Sequence, residues 1–211
     1  MAFREKGMKK ILLLIVMLPL SLFAQDVESV LDRAVDVLKN DAAVEMDYAY
    51  TVYDDDNEAV YNDRGVMKLD NERYSLLMDE MKVWCDGKTQ WSYMKEIDEV
   101  YITTADSDEA QNLSPLYIIE KYKKEYSVTC AEKGVCRLVT MSAADPDAEV
   151  SRVELLINNK DFRLAGIVIY MQSQGRVEVM LDNYKAKCNF GKKEYECPLE
   201  EFSTAEIVDM R

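Results

Sequence analysis

The chain has 211 residues, 48% of them hydrophobic, so its length fits one domain of ordinary size and its composition argues against wholesale disorder. It contains no histidine, which excludes Ser-His-Asp and Cys-His catalysis as well as His-ligated metal sites. The 26 Lys and Arg against 40 Asp and Glu give a formal net charge of −14, which argues against binding nucleic acid, and an enzyme is less expected than a binding protein.

The first 24 residues have the pattern of a secretory signal peptide. A basic start precedes an apolar run over residues 11–23. That run is too short for a membrane-spanning helix but has the length of a signal-peptide apolar region. We predict cleavage after Ala24, which leaves residues 25–211 as a single soluble, exported domain.

Hydrophobic spacing then predicts two helices in a chain that is otherwise rich in strands. The first helix covers residues 26–38. The second begins at Ser114-Pro115, where Ser can cap the helix and Pro takes the first helical position. The strand-like runs cover residues 44–52, 66–69, 74–78, 81–85, 89–93, 100–103, 126–130, 136–141, 150–157, 166–171 and 176–184.

Turn residues separate most of these runs closely, which indicates sequential hairpins. An acidic turn region is predicted over residues 54–62, and residues 202–211 show no strong period. Around ten antiparallel strands curl rather than lie flat. The sequence therefore predicts a mainly β (α+β) fold, a curved antiparallel sheet with helices on one side.

The five cysteines can be interpreted through the predicted export, because an oxidising compartment permits disulfides. Cys130 and Cys136 flank a predicted hairpin turn, and Cys188 and Cys197 flank a short polar segment, so each pair is a candidate disulfide. Cys85 lies in an apolar strand pattern. The alternative is five buried thiols that pack as small hydrophobes. None has the CxxC spacing of redox or zinc sites, and no cofactor or metal is expected.

Several segments together resemble the periplasmic lipoprotein carriers (LolA-like). In chain order they are Gly65-x-x-x-Leu69, Tyr74-x-Leu76, Asp86-Gly87-Lys88-Thr89-x-Trp91-x-Tyr93, Glu99-Val100, the helix around residues 113–126, and the tail from Phe190 to Val208-Asp209-Met210-Arg211. The resemblance covers nearly all of residues 25–211. It implies an unclosed β-barrel with helices as a lid over an apolar cavity.

The resemblance also implies a function without chemistry. The protein would carry the acyl chains of lipoproteins through the periplasm, from an inner-membrane lipoprotein-releasing transporter to an outer-membrane acceptor, as a monomer that binds no nucleic acid. Burial of an acyl chain supplies about 0.8 kcal/mol per CH₂. Two alternatives remain: a lipid-sensing or envelope-stress interaction module of the same fold, and a degradative enzyme with a polar cleft.

The candidate lining of the acyl cavity consists of apolar and aromatic side chains on predicted strands and on the second helix. They are Met46, Tyr48, Tyr50, Tyr74, Leu76, Met78, Trp91, Tyr93, Leu116 and Ile119. Each can equally be ordinary core or packing on the outer face. At the position where better-known carriers have an arginine that helps control the lid, this chain has Asn71, and the nearest arginine is Arg73. The arginine-dependent opening is therefore not carried over.

Overall fold

In a computed structural model that describes residues 21–41, 43–107, 115–172 and 175–211, two α-helices accompany one twelve-stranded sheet. The helices are α1 (Ser21–Asn40) and α2 (Pro115–Glu125). The strands are β1 (Val44–Tyr53), β2 (Ala59–Asp70), β3 (Arg73–Met78), β4 (Met81–Cys85), β5 (Thr89–Met94), β6 (Glu99–Thr104), β7 (Ser127–Lys133), β8 (Cys136–Ser142), β9 (Val150–Asn158), β10 (Leu164–Met171), β11 (Arg176–Lys185) and β12 (Glu206–Asp209).

Both predicted helices are confirmed. The amphipathic spacing of α1 places Val30, Leu31 and Ala34 on one buried stripe. The helix extends beyond the predicted 26–38 at both ends. Residues 1–20 and the predicted cap Ser114 lie outside the described residues, so the signal peptide and the cleavage after Ala24 stay predictions.

The sheet is open. Its strand order is β12-β6-β5-β4-β3-β2-β1-β11-β10-β9-β8-β7, so β12 and β7 form its two edges and are not paired with each other. All neighbouring strands are antiparallel except β12, which runs parallel to β6. The prediction of a curved antiparallel sheet that forms an unclosed barrel with two helices is confirmed.

The main core lies between the two helices and one face of the sheet, which we call the inner face. Strand register aligns Met46, Met67, Leu76 and Val83 across β1 to β4, and all four are buried. In the other half, the same face carries a row across β8 to β11 with Val139, Leu155, Ile167 and Val179. Ile118, Ile119 and Tyr122 of α2 pack against this face together with the stripe of α1.

A second apolar cluster covers the opposite, outer face of β3 to β6. The C-terminal segment crosses this face with two 3₁₀ turns, Lys192–Tyr195 and Leu199–Phe202. Tyr195 is fully buried, and the Phe202 ring lies 5.7 Å from Trp84 and 4.4 Å from Tyr93 between ring centroids. Both faces of this part of the sheet are therefore covered.

Two parts of the strand prediction need correction. The predicted turn over residues 54–62 is shorter, because β2 begins at Ala59 and pairs with Tyr53 of β1. The tail contains β12, which the sequence pattern did not indicate. Gly65, in the first motif of the resemblance, is required by close packing: a Cβ there would lie 2.0 Å from the carbonyl oxygen of Leu77.

The predicted disulfides are also corrected. Cys130 lies opposite Val139, whereas Cys136 lies opposite Lys133, so about 10 Å of strand separates their positions, too far for a disulfide. Cys136, Cys188 and Cys197 carry free thiols. Neither predicted bridge is therefore present in the structure.

Candidate functional site

Most of the predicted cavity residues lie together on the inner face or on α2. Those that are buried there are Met46, Tyr48, Tyr74, Leu76, Met78 and Ile119. Tyr50 and Leu116 are half-buried and pack against the same cluster. Eight of the ten predicted residues thus share one apolar environment beneath or within the helical cover.

Trp91 and Tyr93 do not belong to this environment. Strand register places Trp91 opposite Trp84, and Tyr93 opposite Lys82, whereas the inner-face residue of β5 between them is Ser92, opposite Val83. Since side chains alternate along a strand, Trp91 and Tyr93 point to the outer face. Tyr93 packs there on Phe202, so the prediction that these two residues line the acyl cavity is wrong.

The inner face opens to solvent at one end in a cleft of about 250 Å³, which we call the mouth groove. Its lining residues are Tyr50, Val52, Tyr61, Met78, Glu80, Met81, Met94, Lys95 and Glu96. Tyr61 and Met94 are each 37% exposed, which marks the opening, whereas Met78 is buried at the inner end. The groove therefore leads from solvent to the apolar core.

Two aromatic contacts shape one wall of the mouth groove. The Tyr50 ring lies 6.4 Å from the ring of Tyr48 and 6.0 Å from that of Tyr61, in stacked and edge-on arrangements. Burial raises the pKa of Tyr48 and of Tyr50, so these hydroxyls stay neutral. The wall is thus a row of uncharged rings that continues from the core to the opening.

Val52, Tyr61, Met81 and Met94 line the groove but were not among the predicted cavity residues. The period-two pattern of residues 44–52 already contained a signal for Val52, because it continues the series of Tyr48 and Tyr50. Tyr61 fell in the region predicted as a turn. Its place in the groove depends on the early start of β2.

A buried carboxylate fixes one rim of the groove. Asp63, 7% exposed, accepts hydrogen bonds from the Tyr61 hydroxyl and from the backbone N–H groups of Arg64, Asp79 and Glu80. Burial raises its pKa, but these bonds stabilise the charged form and the net effect lowers it. Asp63 therefore ties the β3–β4 turn to β2 beside the opening.

The helices α1 and α2 are joined to each other by surface ion pairs. Lys39 lies 2.7 Å from Glu120, and Lys123 pairs with Asp32. The helices rest on the sheet mainly through apolar side chains. We call α1 and α2 together the helical lid.

One buried hydroxyl of the inner face has a partner within the core. The Tyr74 hydroxyl, whose pKa is raised by burial, donates a hydrogen bond to the side-chain oxygen of Gln90. Arg73 cannot replace a lid arginine, because it pairs with Asp70 and lies 5.0 Å from the centre of the Tyr195 ring on the outer side. The position of Arg73 therefore agrees with the conclusion that the arginine-dependent opening of the better-known carriers is not carried over to this chain.

A larger cleft, of about 690 Å³, lies at the opposite end of the sheet but has polar walls. Ion pairs cross it or flank it, including Lys185 with Glu45 at 2.7 Å and Arg163 with Asp161 at 3.6 Å. Such walls do not suit an acyl chain, because burying these charges is costly. Within the described ranges, no group of three or more Cys, Asp or Glu is placed to hold a metal ion.

The described helices include none that is both long and apolar enough to cross a membrane. Among the described residues, the arrangement is thus an unclosed sheet with an apolar inner face, a helical lid and an opening lined by apolar and charged side chains. This architecture defines the fold class that the sequence resemblance implied.

Comparison with protein families agrees with this class. The model for the family "Outer membrane lipoprotein carrier protein LolA" matches residues 20–174, and the chain belongs to this family. Its members are carrier and binding proteins rather than enzymes. A comparison with curated protein sequences finds no match.

Solved structures with a similar fold have little sequence in common with this chain. An uncharacterized conserved protein from Thermus thermophilus has 10% identity and a TM-score of 0.58, over 88% of this chain and 99% of that one. MucB has 11% identity and a TM-score of 0.52, over 87% and 66%. A LolA superfamily protein from Nitrosomonas europaea has 10% identity and a TM-score of 0.47, over 82% and 98%.

Proposed function

We propose that this protein is a periplasmic carrier that binds acyl chains of lipoproteins without forming a covalent bond and shuttles them from the inner to the outer membrane. The observation that carries the proposal is the mouth groove, because it joins solvent to the apolar inner face under the helical lid. Family membership supports the same ligand class. Export through cleavage after Ala24 is part of the proposal, as are the donor transporter and the outer-membrane acceptor.

The volume of the groove indicates how binding proceeds. Pockets for small ligands usually measure about 300–1,000 Å³, whereas the mouth groove measures about 250 Å³ and the core behind it is filled by side chains. A long acyl chain therefore enters by displacing the lid from the inner face. The ion pairs of the lid are exposed and contribute little each, and an acyl chain can replace the apolar contacts between the lid and the sheet, so this displacement is reversible.

The proposal is tested by native mass spectrometry of the protein purified from the periplasm of its own host. We expect a population with an added mass that organic solvent releases as a diacylated or triacylated lipoprotein. A matched pair of variants locates the ligand: Val52→Gln, in the groove, lowers occupancy. The control is Thr51→Gln, which changes the preceding residue on the outer face of β1 and leaves the ligand occupancy unchanged.

A protein that purifies without ligand and takes up no lipoprotein when it is offered contradicts the carrier proposal. That outcome favours the second candidate, a lipid-sensing or envelope-stress interaction module with the same fold. Equal loss of occupancy in both variants contradicts the location of the ligand in the mouth groove.

A further inference from the structure

The polar cleft of about 690 Å³, which we call the notch, lies where β11 continues past the end of its pairing with β10. The β10–β11 ladder ends at the pair of Gly166 with Met180, whereas β11 extends to Lys185. Residues 181–185 therefore have β1 on one side and the notch on the other. Such a stretch presents unpaired backbone groups, as the edge of a sheet does.

Two bulges adjoin the notch. In β11, Asn183 and Tyr184 together face Met46 of β1, and Asn183 has a left-handed backbone with a φ of 50°. In β10, the register against β9 shifts at Ala165. Because a bulge bends its strand and interrupts the ladder, β10 and β11 part from each other at this place.

The backbone of β11 offers hydrogen-bonding groups to the notch. In an antiparallel sheet, the N–H and C=O groups of successive residues serve the two neighbouring strands in turn. Residues 181–185 therefore direct part of their donors and acceptors to the side that β10 has left. The volume of the notch falls within the range of about 300–1,000 Å³ that is usual for ligand sites. It can thus hold a few residues of extended chain.

The cations that line the notch, Arg163 and Lys185, are held by carboxylates. Arg163 lies 3.6 and 3.8 Å from two of them, and Lys185 lies 2.7 Å from a third. The three carboxylates belong to Asp161, Asp41 and Glu45. Lys160 and Lys187 are exposed in the bordering segments but do not line the notch. The net charge around the notch is therefore small.

The local imbalance lies at two carboxylates on the outer face. Asp47 and Asp182 both line the notch, are exposed and lie directly opposite each other in the β1–β11 register. Asn183 donates its side-chain N–H to Asp47 at 2.6 Å and its backbone N–H to Asp182 at 2.8 Å. Among the described residues, neither carboxylate forms an ion pair. Like charges directly opposite on two strands are unfavourable, so a bound cation would relieve this pair.

We infer that the notch binds an extended peptide segment of a partner protein, in which basic side chains alternate with apolar ones. The segment pairs with β11 through its backbone and places its basic side chains beside Asp47 and Asp182. Its apolar side chains face Leu164 and Leu181, which are buried on the inner face. The site lies at the opposite end of the sheet from the mouth groove, and it does not depend on the proposed function.

The test uses fluorescein-Gly-Lys-Val-Lys-Val-Lys-amide as the probe, and fluorescence anisotropy at low salt follows its binding. We expect saturable binding with a Kd below about 1 mM. Fluorescein-Gly-Lys-Lys-Lys-Val-Val-amide has the same composition without the alternation, and it binds about tenfold more weakly or less. Because alternate N–H groups of the probe face β11, N-methylation of its lysines or of its valines, but not of both sets, lowers the affinity about tenfold.

A matched pair of variants assigns the binding to the notch. Asp182→Lys replaces an unpaired carboxylate by a cation and lowers the affinity for the probe about tenfold or more. Asp147→Lys makes the same change of charge at an exposed position of the β8–β9 loop, at the other end of the sheet. It leaves the affinity within about twofold of wild type. Thermal unfolding close to that of wild type shows that both variants fold.

Each outcome supports or overturns the inference. Weaker binding by Asp182→Lys, together with loss of affinity in one N-methylated probe alone, supports it. Absence of saturable binding overturns it, and so does equal binding of the two peptide orders. Unchanged affinity of both N-methylated probes shows attraction of charge without backbone pairing and overturns it. Equal weakening by Asp182→Lys and Asp147→Lys shows an effect of net charge and overturns it as well. None of these outcomes bears on acyl binding, so the carrier proposal is tested separately.

Discussion

At the level of single residues, Asp63 combines burial with full hydrogen bonding at the rim of the groove. Its carboxylate accepts bonds from three backbone N–H groups and the Tyr61 hydroxyl. Hydrogen bonds to a charged acceptor contribute more than neutral ones, about 1.5–3 kcal/mol each when the partners are buried. The residue therefore stabilises the β3–β4 turn as well as giving the opening its charge.

We expect Asp63→Asn to lower the free energy of unfolding by about 1–3 kcal/mol at pH 7, because an amide oxygen replaces fewer of these bonds. The folded-state pKa of Asp63 lies below that of the unfolded chain. Its contribution is therefore present above about pH 4 and is lost as the pH falls through the folded-state value.

Urea unfolding at pH 7 and at successively lower pH measures this difference. The gap between wild type and Asp63→Asn narrows below about pH 4. An equal gap at every pH contradicts a role for the charged form. Asp161→Asn serves as the control, because Asp161 lies in the β9–β10 turn at the other end of the sheet. Its unfolding should not show the pH-dependent gap that Asp63→Asn shows.

Individual aromatic residues show where prediction from sequence stops. Alternation along a strand tells which residues share a face, so Tyr48 and Tyr50 are predicted together, and both lie on the inner face. Alternation does not tell which face of the sheet lies under the helices when both faces are covered. Trp91 and Tyr93 are partly buried on the outer face, where Tyr93 packs on Phe202 of the C-terminal segment. That long-range contact has no local sequence signal.

At the level of elements, the C-terminal segment converts an exposed sheet face into a second apolar cluster. The backbone N–H of Met210 donates to Ile102 and that of Glu206 to Asp98, which attaches the segment to β6. Phe202 lies between the Trp84 and Tyr93 rings, and the Lys82 ammonium lies 5.8 Å from its centre. The segment thus stabilises the half of the sheet that carries the mouth groove without contributing to the groove.

We expect Phe202→Ala to lower the free energy of unfolding by about 1–3 kcal/mol, through loss of burial and of two aromatic contacts. Affinity for acyl probes should not change, because Phe202 lies on the outer face. Denaturant unfolding followed by tryptophan fluorescence measures the first quantity and probe titration the second. Leu199→Ala, an exposed position in the same 3₁₀ turn, is the control. Weaker probe binding by folded Phe202→Ala contradicts the separation of the two faces.

Most strands were predictable from sequence, whereas the start of β2 and the whole of β12 were missed. Alternation and turn residues located β1 and β3 to β11 within a few residues. The first four residues of β2 are exposed and follow an acidic run, so they resemble part of a turn. The four residues of β12 are too few to establish a period, and their pairing with β6 depends on a partner far away in the chain.

At the scale of the whole molecule, binding of a long acyl chain requires the lid to leave the inner face. Helices as short as α2 depend on packing for most of their stability. We therefore expect backbone amides of α1 and α2 to exchange with deuterium about threefold faster or more when the protein holds a palmitoyl probe. Amides of β3 and β4 should keep their protection.

Hydrogen-exchange mass spectrometry of the protein with and without probe measures this change. Val52→Gln, mixed with the same probe, is the control and shows slow exchange in both helices. If saturated wild-type protein exchanges its helix amides at the unliganded rate, the chain binds in the mouth groove alone and the lid does not move.

The strand order also determines how the chain assembles. Apart from β12, every neighbouring pair of strands is a hairpin except β1 with β11, which brings together residues as distant in the chain as Tyr53 and Arg176. Hairpins form within microseconds, whereas pairing across a long loop is slow. We therefore expect the two half-sheets to form independently and the β1–β11 pairing that joins them to limit the folding rate.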